Sequence, residues 1–312
     1  MLYITEDDVR RLLPMSVCIG LMRQTFQALA TGEGLNQPRR RMFLPTGAVL
    51  HSMAGAVGRY FGTKFYSAHV KHGAHFFFTL FDAATARPLA LIEANFLGQI
   101  RTGAASGYAT DLLAKPDAHT LGVIGSGFQA RSQIEAILQV RKLREVMVYS
   151  RNEARREAFA AELTKALNVP VVAIETAEEA VSHADIVVTA TFAKEPVLEA
   201  DWVRPGTHVN AMGSNNAQRR ELPAELVNRA GLIVVDSVEQ AKVEAGDLLL
   251  AWNETDWQTP RLIELKDARK ASRDPDAITI FKSNGLAIED VAAGAYVYER
   301  ACQEGLKRPL YS

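Results

Sequence analysis

The sequence has little of what marks secreted, membrane-spanning or nucleic-acid-binding proteins. Only two cysteines, Cys18 and Cys302, occur in 312 residues. They lie far apart and neither belongs to a C-x-x-C pair, so no disulfide framework is expected and a reducing, cytoplasmic setting fits. The N-terminus shows no basic stretch followed by an apolar one, so no signal peptide is expected. No apolar run approaches the roughly 20 residues needed to cross a bilayer, and no membrane partner is expected. The formal net charge is −1, which offers no bulk attraction to nucleic acid or anionic lipid. The run Arg39-Arg40-Arg41 is locally basic, but it reads as a solvated loop and is too short to make a nucleic-acid patch. There is no internal repeat and no low-complexity tract.

What is present is ordinary globular composition, 48% hydrophobic and 23% charged. A chain of this length buries a large core, and two domains are the natural expectation. Thr5 predicts an N-cap, with Glu6, Asp7 and Asp8 in the first turn beside the positive end of the helix dipole. Ile19, Met22, Phe26 and Leu29 recur at helical spacing and predict a helix over 16–30, followed by a loop at 32–38. Short β-like runs follow at 49–53, 60–66, 75–81 and 89–92, and helical spacing returns at 96–113.

From Thr120 the pattern alternates. Apolar strands are predicted at 120–124, 145–149, 171–174, 185–189, 208–211, 232–235 and 277–281. Amphipathic helices lie between them at 128–140, 153–167, 178–182 and 223–228, and a last helix covers 287–302. This alternation predicts an α/β fold: a Rossmann-type, doubly wound parallel sheet at 116–285. An α+β substrate and dimerisation domain would comprise 1–115 plus 286–312.

The sharpest motif is Gly125-Ser126-Gly127-Phe128-Gln129-Ala130, a G-x-G-x-x-A pattern that follows a strand and opens a helix. Gly125 allows the tight turn, Gly127 removes a Cβ that would hold the backbone off a pyrophosphate, and Ala130 allows close helix-on-strand packing. The helix N-terminus then offers free N–H groups to phosphate. The pattern predicts a dinucleotide site. Thr189, Ala190, Thr191, Met212 and Gly213, at the ends of later strands, are expected to complete it. The second strand ends at Ser150-Arg151-Asn152, where an NAD site usually places an acidic residue for the ribose hydroxyl. Ser150 cannot repel a 2′-phosphate and Arg151 suits one, so NADP(H) is expected in preference to NAD(H), with NAD(H) possible. The alternative is that Arg151 is a solvated helix-start residue.

On the substrate side three cations stand out: Arg40 after Pro38, Lys64 inside an apolar strand, and Arg101 inside a helix. A Lys within such a strand needs a partner or a site, because unpaired charges are rarely buried. Each cation also reads as a surface or snorkelling residue until a fold places it. His69, His72 and His75 recur every third residue. Strand side chains alternate with period two, so this spacing is expected to scatter them, and no metal site is predicted.

Read together, several blocks resemble the ornithine cyclodeaminase/mu-crystallin family over nearly the whole chain. They are Gln37-Pro38-x-Arg40, Thr63-Lys64, Arg101-Thr102-x-Ala104-Ala105, the glycine motif, Asn210-Ala211-x-Gly213-Ser214, Arg220-Glu221-Leu222, Val235-Asp236, Glu244-Ala245-Gly246-Asp247 and Phe281-Lys282-Ser283-x-Gly285-x-Ala287-x-Glu289-Asp290. The resemblance implies a homodimer whose central domain holds NAD(P). It implies that Arg40 and Arg101 clamp the α-carboxylate of an amino or imino acid, with Lys64 beside the reacting carbon and nitrogen. In cyclodeaminases of the family an Asp acts as base on the substrate amine. The matching position here is Asn215, which cannot take up a proton at neutral pH. The resemblance therefore points to hydride transfer between nicotinamide and a small α-imino or α-amino acid, by an imine reductase or amino-acid dehydrogenase. An NAD-dependent ornithine cyclodeaminase and a non-catalytic NADPH-binding crystallin are the alternatives. Asn284, where relatives place an apolar residue, either contacts the substrate tail or is a loop Asn with positive φ beside Gly285.

Overall fold

The computed structural model describes residues 1–272 and 274–309. Arg273, and the part of the expected 286–312 segment from Leu310 onward, lie outside the described residues. The chain divides into two compact units: Met1–Ala104 with the chain from Gly285 onward, and Ala105–Asn284. No described helix is long and apolar enough to cross a membrane.

The first unit opens with β1 (Leu2–Ile4), α1 (Glu6–Leu12) and α2 (Met15–Thr31). Thr5 caps α1 as its sequence predicts, accepting from the Asp8 amide while the Asp8 carboxylate accepts from the Thr5 amide. Then come β2 (Leu35–Phe43), β3 (Val49–Val57), β4 (Tyr60–His69), β5 (Gly73–Asp82), β6 (Pro88–Glu93) and α3 (Asn95–Leu113). The six strands form one sheet in the order β1-β6-β5-β4-β3-β2. β1 runs parallel to β6, and the remaining pairs are antiparallel.

The expected loop at 32–38 is corrected. α2 ends on Gly32 in the left-handed region, and β2 begins at Leu35, because pairing with β3 overrides the poor strand propensity of Asn36, Gln37 and Pro38. Arg39-Arg40-Arg41 is therefore strand. The pairing also slips: Gln37 lies opposite Ala54 and Arg40 opposite Ser52. Pro38 and Arg39 thus share the single partner Met53, a β-bulge at a residue with no N–H to give. One inserted residue reverses the alternation beyond it. Arg39 turns to the buried face and Arg40 to the open one.

The second unit carries β7 (Thr120–Ile124), α4 (Phe128–Val140), β8 (Glu145–Tyr149), α5 (Glu153–Leu167), β9 (Val171–Ala173), α6 (Ala177–Ser182), β10 (Ile186–Thr189), β11 (His208–Ala211), α7 (Ala224–Arg229), β12 (Leu232–Val235), α8 (Val238–Glu244), α9 (Gly246–Leu249), β13 (Leu262–Glu264) and β14 (Thr279–Lys282). All eight strands are parallel, in the order β13-β12-β14-β11-β10-β7-β8-β9. This is the doubly wound α/β sheet, with a core on each face. Leu121, Val123, Ile186 and Val188 pack toward α4 and α5, whereas Ile124, Val187, Val209 and Ile233 pack toward α6, α7 and α9. Each such fully buried aliphatic side chain contributes about 1.5–3 kcal/mol. α8, α9 and β13 are short elements that the sequence pattern did not predict.

The last helix, α10 (Ala287–Gln303), belongs to the first unit and lies on β3 and β4. Its approach is close: a Cβ on Gly55 would sit 2.6 Å from the Ile288 nitrogen, and one on Gly294 would sit 2.7 Å from the Phe78 ring. The Tyr60 hydroxyl donates to Glu299 at 2.7 Å and pins the far end.

Candidate active site

In the second unit the expected cofactor residues gather at the C-terminal edge of the parallel strands, where ligands bind in open α/β sheets. Gly125 has φ +120, and a Cβ there would stand 2.4 Å from the Ala190 oxygen, so only glycine fits between β7 and β10. Its amide donates to the Tyr149 oxygen at 2.8 Å, and Ser126 Oγ donates to Ser150 Oγ at 2.8 Å. Gly127 is the N-cap of α4, with no side-chain hydrogen bond at the cap. A Cβ on Gly127 would meet nothing within 4 Å, so the protein's own packing does not require glycine here. The space suits a pyrophosphate. Phe128 is exposed, Gln129 half-buried and Ala130 buried against the sheet. At the end of β8, Asn152 caps α5 by accepting from the Arg155 amide, and Arg151 is exposed. The buried Arg156 donates to the Ser150 carbonyl at 2.8 Å.

The loops after β10 and β11 are tied together by a carboxylate that the sequence pattern did not single out for a role. Glu221, fully buried, accepts from Thr189 Oγ1 (2.9 Å), Thr191 N (2.6 Å), Thr191 Oγ1 (2.7 Å) and Gly213 N (2.7 Å). The Met212 amide donates to Thr189 O at 2.8 Å, so both loops leave the sheet in register. Asp247 Oδ1 accepts from the amides of Glu221 and Leu222, and its Oδ2 pairs with Lys282 Nζ at 3.0 Å. Burial raises the Glu221 pKa, and the nearby Asp247 raises it further. Asn215 is exposed on the loop that follows Gly213. Asn284 is buried, with its amide held by Asp236 at 2.8 Å and the neighbouring Ser283 hydroxyl donating to the same carboxylate at 2.9 Å. The positive-φ reading of Asn284 is corrected: Gly285, with φ +79, makes the turn.

In the first unit the three buried cations are Arg39 (7% exposed), Lys64 (3%) and Arg101 (6%). Arg40 is not among them: it lies opposite Ser52, in the cross-strand row of Phe65 and Phe77 on the open face. The bulge at Pro38 is the reason. Arg39 takes the expected place and donates from Nη2 to the Gly285 oxygen at 3.5 Å. Arg101 packs on the same glycine, where a Cβ would sit 2.4 Å from Nη1. Lys64 Nζ passes close over Gly98, where a Cβ would lie 2.6 Å away.

Two carboxylates from the first turn of α10, both fully buried, lie against Lys64 and Arg101. Glu289 Oε2 accepts from Arg101 Nη1 at 2.8 Å, and Asp290 Oδ1 accepts from Lys64 Nζ at 2.8 Å and Arg101 Nε at 3.3 Å. Burial brings the Lys64 pKa down to about 8; Asp290 pulls it back up, and the guanidinium groups of Arg101 and Arg39 push it down. In the sequence Glu289 and Asp290 stand out only as part of the family motif. The signal available was a pair of acids opening a buried helix in a chain with buried cations to match.

The histidines behave differently from expectation. His72 lies in the turn between β4 and β5, outside the strand alternation, and its ring packs 4.6 Å from that of His69. Among the described residues no group of three His, Cys, Asp or Glu side chains is arranged to hold a metal ion.

The sequence model of the ornithine cyclodeaminase/mu-crystallin family matches residues 2–305. A Delta(1)-pyrroline-2-carboxylate reductase from Bacillus cereus is 40% identical over 232 residues, 73% of this chain and 71% of that protein. An alanine dehydrogenase from Archaeoglobus fulgidus is 32% identical over 319 aligned positions, 98% of this chain and 96% of the relative. Among solved structures, Delta(1)-pyrroline-2-carboxylate reductase from Thermococcus litoralis in complex with NADH and L-proline superposes with a TM-score of 0.94 at 32% identity, covering 99% of this chain and all of the other (100%). Whole-length agreement in motif, sequence and fold makes this chain a member of the ornithine cyclodeaminase/mu-crystallin family.

Proposed function

We propose that this protein is a nicotinamide-dependent imine reductase, interconverting a small α-imino acid and the corresponding α-amino acid. The observation that carries the reading is the convergence of three buried cations in the first unit: Arg39 and Arg101 both lie on Gly285, and Lys64 stands with Arg101 beside the carboxylates of Glu289 and Asp290. Two guanidinium forks suit a substrate carboxylate, and a buried ammonium beside them can move a proton. The relatives that reduce pyrroline-2-carboxylate or carry L-proline fit the same chemistry.

In this reading the guanidinium groups of Arg39 and Arg101 hold the carboxylate and fix the imine carbon and nitrogen. The glycine turn at Gly125–Ala130 would hold the pyrophosphate of a reduced nicotinamide dinucleotide, which would supply the hydride. Lys64 gives its proton to the imine nitrogen and is recharged from solvent. With a pKa near 8, its ammonium is mostly protonated at neutral pH yet is a better acid than an ordinary lysine. Asn215 offers no proton acceptor, so ammonia elimination with cyclisation is not part of the reading.

The test is loss of nicotinamide absorbance with Δ1-pyrroline-2-carboxylate, its six-membered homologue, or a keto acid plus amine. Lys64→Ala is expected to lower kcat by about 10²–10⁴-fold. Reduction needs the protonated lysine, so its rate should fall as pH rises through about 8, and oxidation of the amino acid should rise through the same range. Proline and ammonia formed from ornithine with catalytic NAD would instead select the cyclodeaminase reading.

We further infer a preference for NADP(H), from Ser150 in the usual acidic position and the exposed Arg151 beside it. The kcat/KM ratio for NADPH over NADH should exceed one and shrink about tenfold in Arg151→Ala. We assign the first unit to substrate binding and self-association and the second to the dinucleotide. The occupant proposed for the open sheet face is a second copy of the chain.

A further inference from the structure

Asp290 takes no part in the steps above, yet it touches both groups that perform them. One of its oxygens, Oδ1, lies 2.8 Å from Lys64 Nζ and 3.3 Å from Arg101 Nε. The other, Oδ2, is buried without a hydrogen-bond partner among the described residues. A fully buried carboxylate used on one side only is a poor stabilising device, since an apolar replacement of a buried ion pair is often neutral or better for stability. Glu289, its neighbour in the chain, makes a useful contrast. Glu289 accepts from Arg101 Nη1 through Oε2 and from the Leu286 amide through Oε1 at 3.3 Å. Glu289 completes a helix start and an arginine, whereas Asp290 joins an arginine to a lysine.

We infer that Asp290 is the positioning residue of this site: its Oδ1 aims Lys64 Nζ and keeps it charged, linking the grip of Arg101 on the substrate carboxylate to the proton that Lys64 delivers. The inference rests on the reductase reading. The charged groups around Lys64 come from every element packed on it: Asp290 and Glu289 from α10, Arg101 from α3 and Arg39 from β2. Phe76 of β5 contributes a ring 5.8 Å from Nζ and no charge. Burial raises the Cys18 thiol, so it stays neutral near the two carboxylates and adds no charge either. Two cations press on Lys64 to lose its proton, and of the surrounding groups only Asp290 both opposes them and touches Nζ. In the reaction the imine carbon gains a hydride, the nitrogen gains the Lys64 proton, and Lys64 is left neutral until it takes a proton from solvent. A carboxylate arriving on Arg39 and Arg101 adds a negative charge beside the same lysine, so substrate binding favours the protonated state just when it is needed.

The test compares pH profiles of imine reduction by the full chain at saturating reduced nicotinamide, for the parent, Asp290→Asn and Glu289→Gln. In Asp290→Asn the alkaline fall of kcat should move down by about one pH unit or more, the usual effect of deleting an adjacent opposite charge. Its kcat should be down about fivefold at pH 8 and largely restored at pH 6. Glu289→Gln should raise KM for the imino acid and leave the position of the fall in place. A loss in Asp290→Asn that is constant across pH would overturn the inference and leave Asp290 a structural residue. Should Asp290→Asn fail to fold, Asp290→Glu keeps the charge on a longer arm. It should then hold the alkaline fall at the parent position with a lowered kcat, and a fall shifted down in that variant would also overturn the inference. Lys64→Ala separates the two claims: full activity with the parent pH profile in that variant would sink the reductase mechanism itself, and this inference with it.

Discussion

At the scale of single residues, the site turns on which of two adjacent arginines faces inward. Pro38 has no N–H to donate, the ladder slips at that point, and Arg39 rather than Arg40 joins Lys64 and Arg101 on the buried face. A charge-assisted hydrogen bond contributes about 1.5–3 kcal/mol. Arg39→Ala is therefore expected to raise KM for the imino acid about 10–150-fold, whereas Arg40→Ala should leave it within about twofold. Steady-state kinetics of the two variants checks the assignment, and the reverse ranking would restore Arg40 to the clamp. Lysine at position 39 should not rescue the arginine, because an ammonium lacks the planar fork that matches a carboxylate.

At the scale of elements, two strand ends must leave the sheet together to present Thr191 and Gly213. Glu221 makes this happen from a third segment, and the fit is tight: a Cβ on Gly213 would lie 2.4 Å from Glu221 Oε1. Its carboxylate answers four donors, and an amide in its place would turn N–H groups toward at least one of them. Each buried donor left unmatched costs about 1–3 kcal/mol. Glu221→Gln should lower the midpoint of denaturant unfolding and weaken dinucleotide binding about tenfold, as read by titration of nicotinamide fluorescence. Loss of stability with unchanged dinucleotide affinity would show that the loops hold their shape without it. Lys282 and Asp247 sit behind Glu221 in the same buried cluster, so the three substitutions should not be additive.

At the scale of the whole molecule, the first unit keeps one sheet face open. Phe61 stacks on Phe81 at 5.0 Å and Phe65 on Phe77 at 5.8 Å across β4 and β5, while Met42, Leu50 and Phe65 are exposed. Apolar surface of this kind suits the proposed second copy of the chain, and aromatic residues at its centre would carry most of the energy. Phe65→Lys is expected to shift a dimer to monomer in sedimentation velocity while the isolated chain remains folded by circular dichroism. A parent protein that sediments as a monomer at micromolar concentration would remove this face from consideration. Arg40 lies on the same face, so its substitution should alter association before it alters substrate affinity.

Much of the second unit was legible in the sequence. Thr120–Ile124, Phe128–Val140, Glu145–Tyr149 and Glu153–Leu167 end where the amphipathic pattern predicts, because a parallel strand and its covering helix each state their burial within a few residues of chain. The glycine turn was legible for the same reason: Gly125 answers to local backbone geometry, and Gly127 stands at a fixed spacing from it where the helix begins. The short elements between Val238 and Glu264 were not, since helices of one or two turns and a three-residue strand carry too little periodicity to register. That Lys64 needs a partner or a site if its strand buries it followed from the sequence, because burying a charge has a known cost; that Lys64 and Arg101 are in fact buried did not. Which groups answer them did not either. Asp290 is 226 residues from Lys64 and 189 from Arg101, and the arginine beside them was fixed by a bulge whose register belongs to two strands at once. Local pattern thus determined the elements and the chemistry the chain must contain. Only tertiary packing decided which charges meet, because pairing across strands and across distant helices depends on surfaces that no single stretch of chain contains.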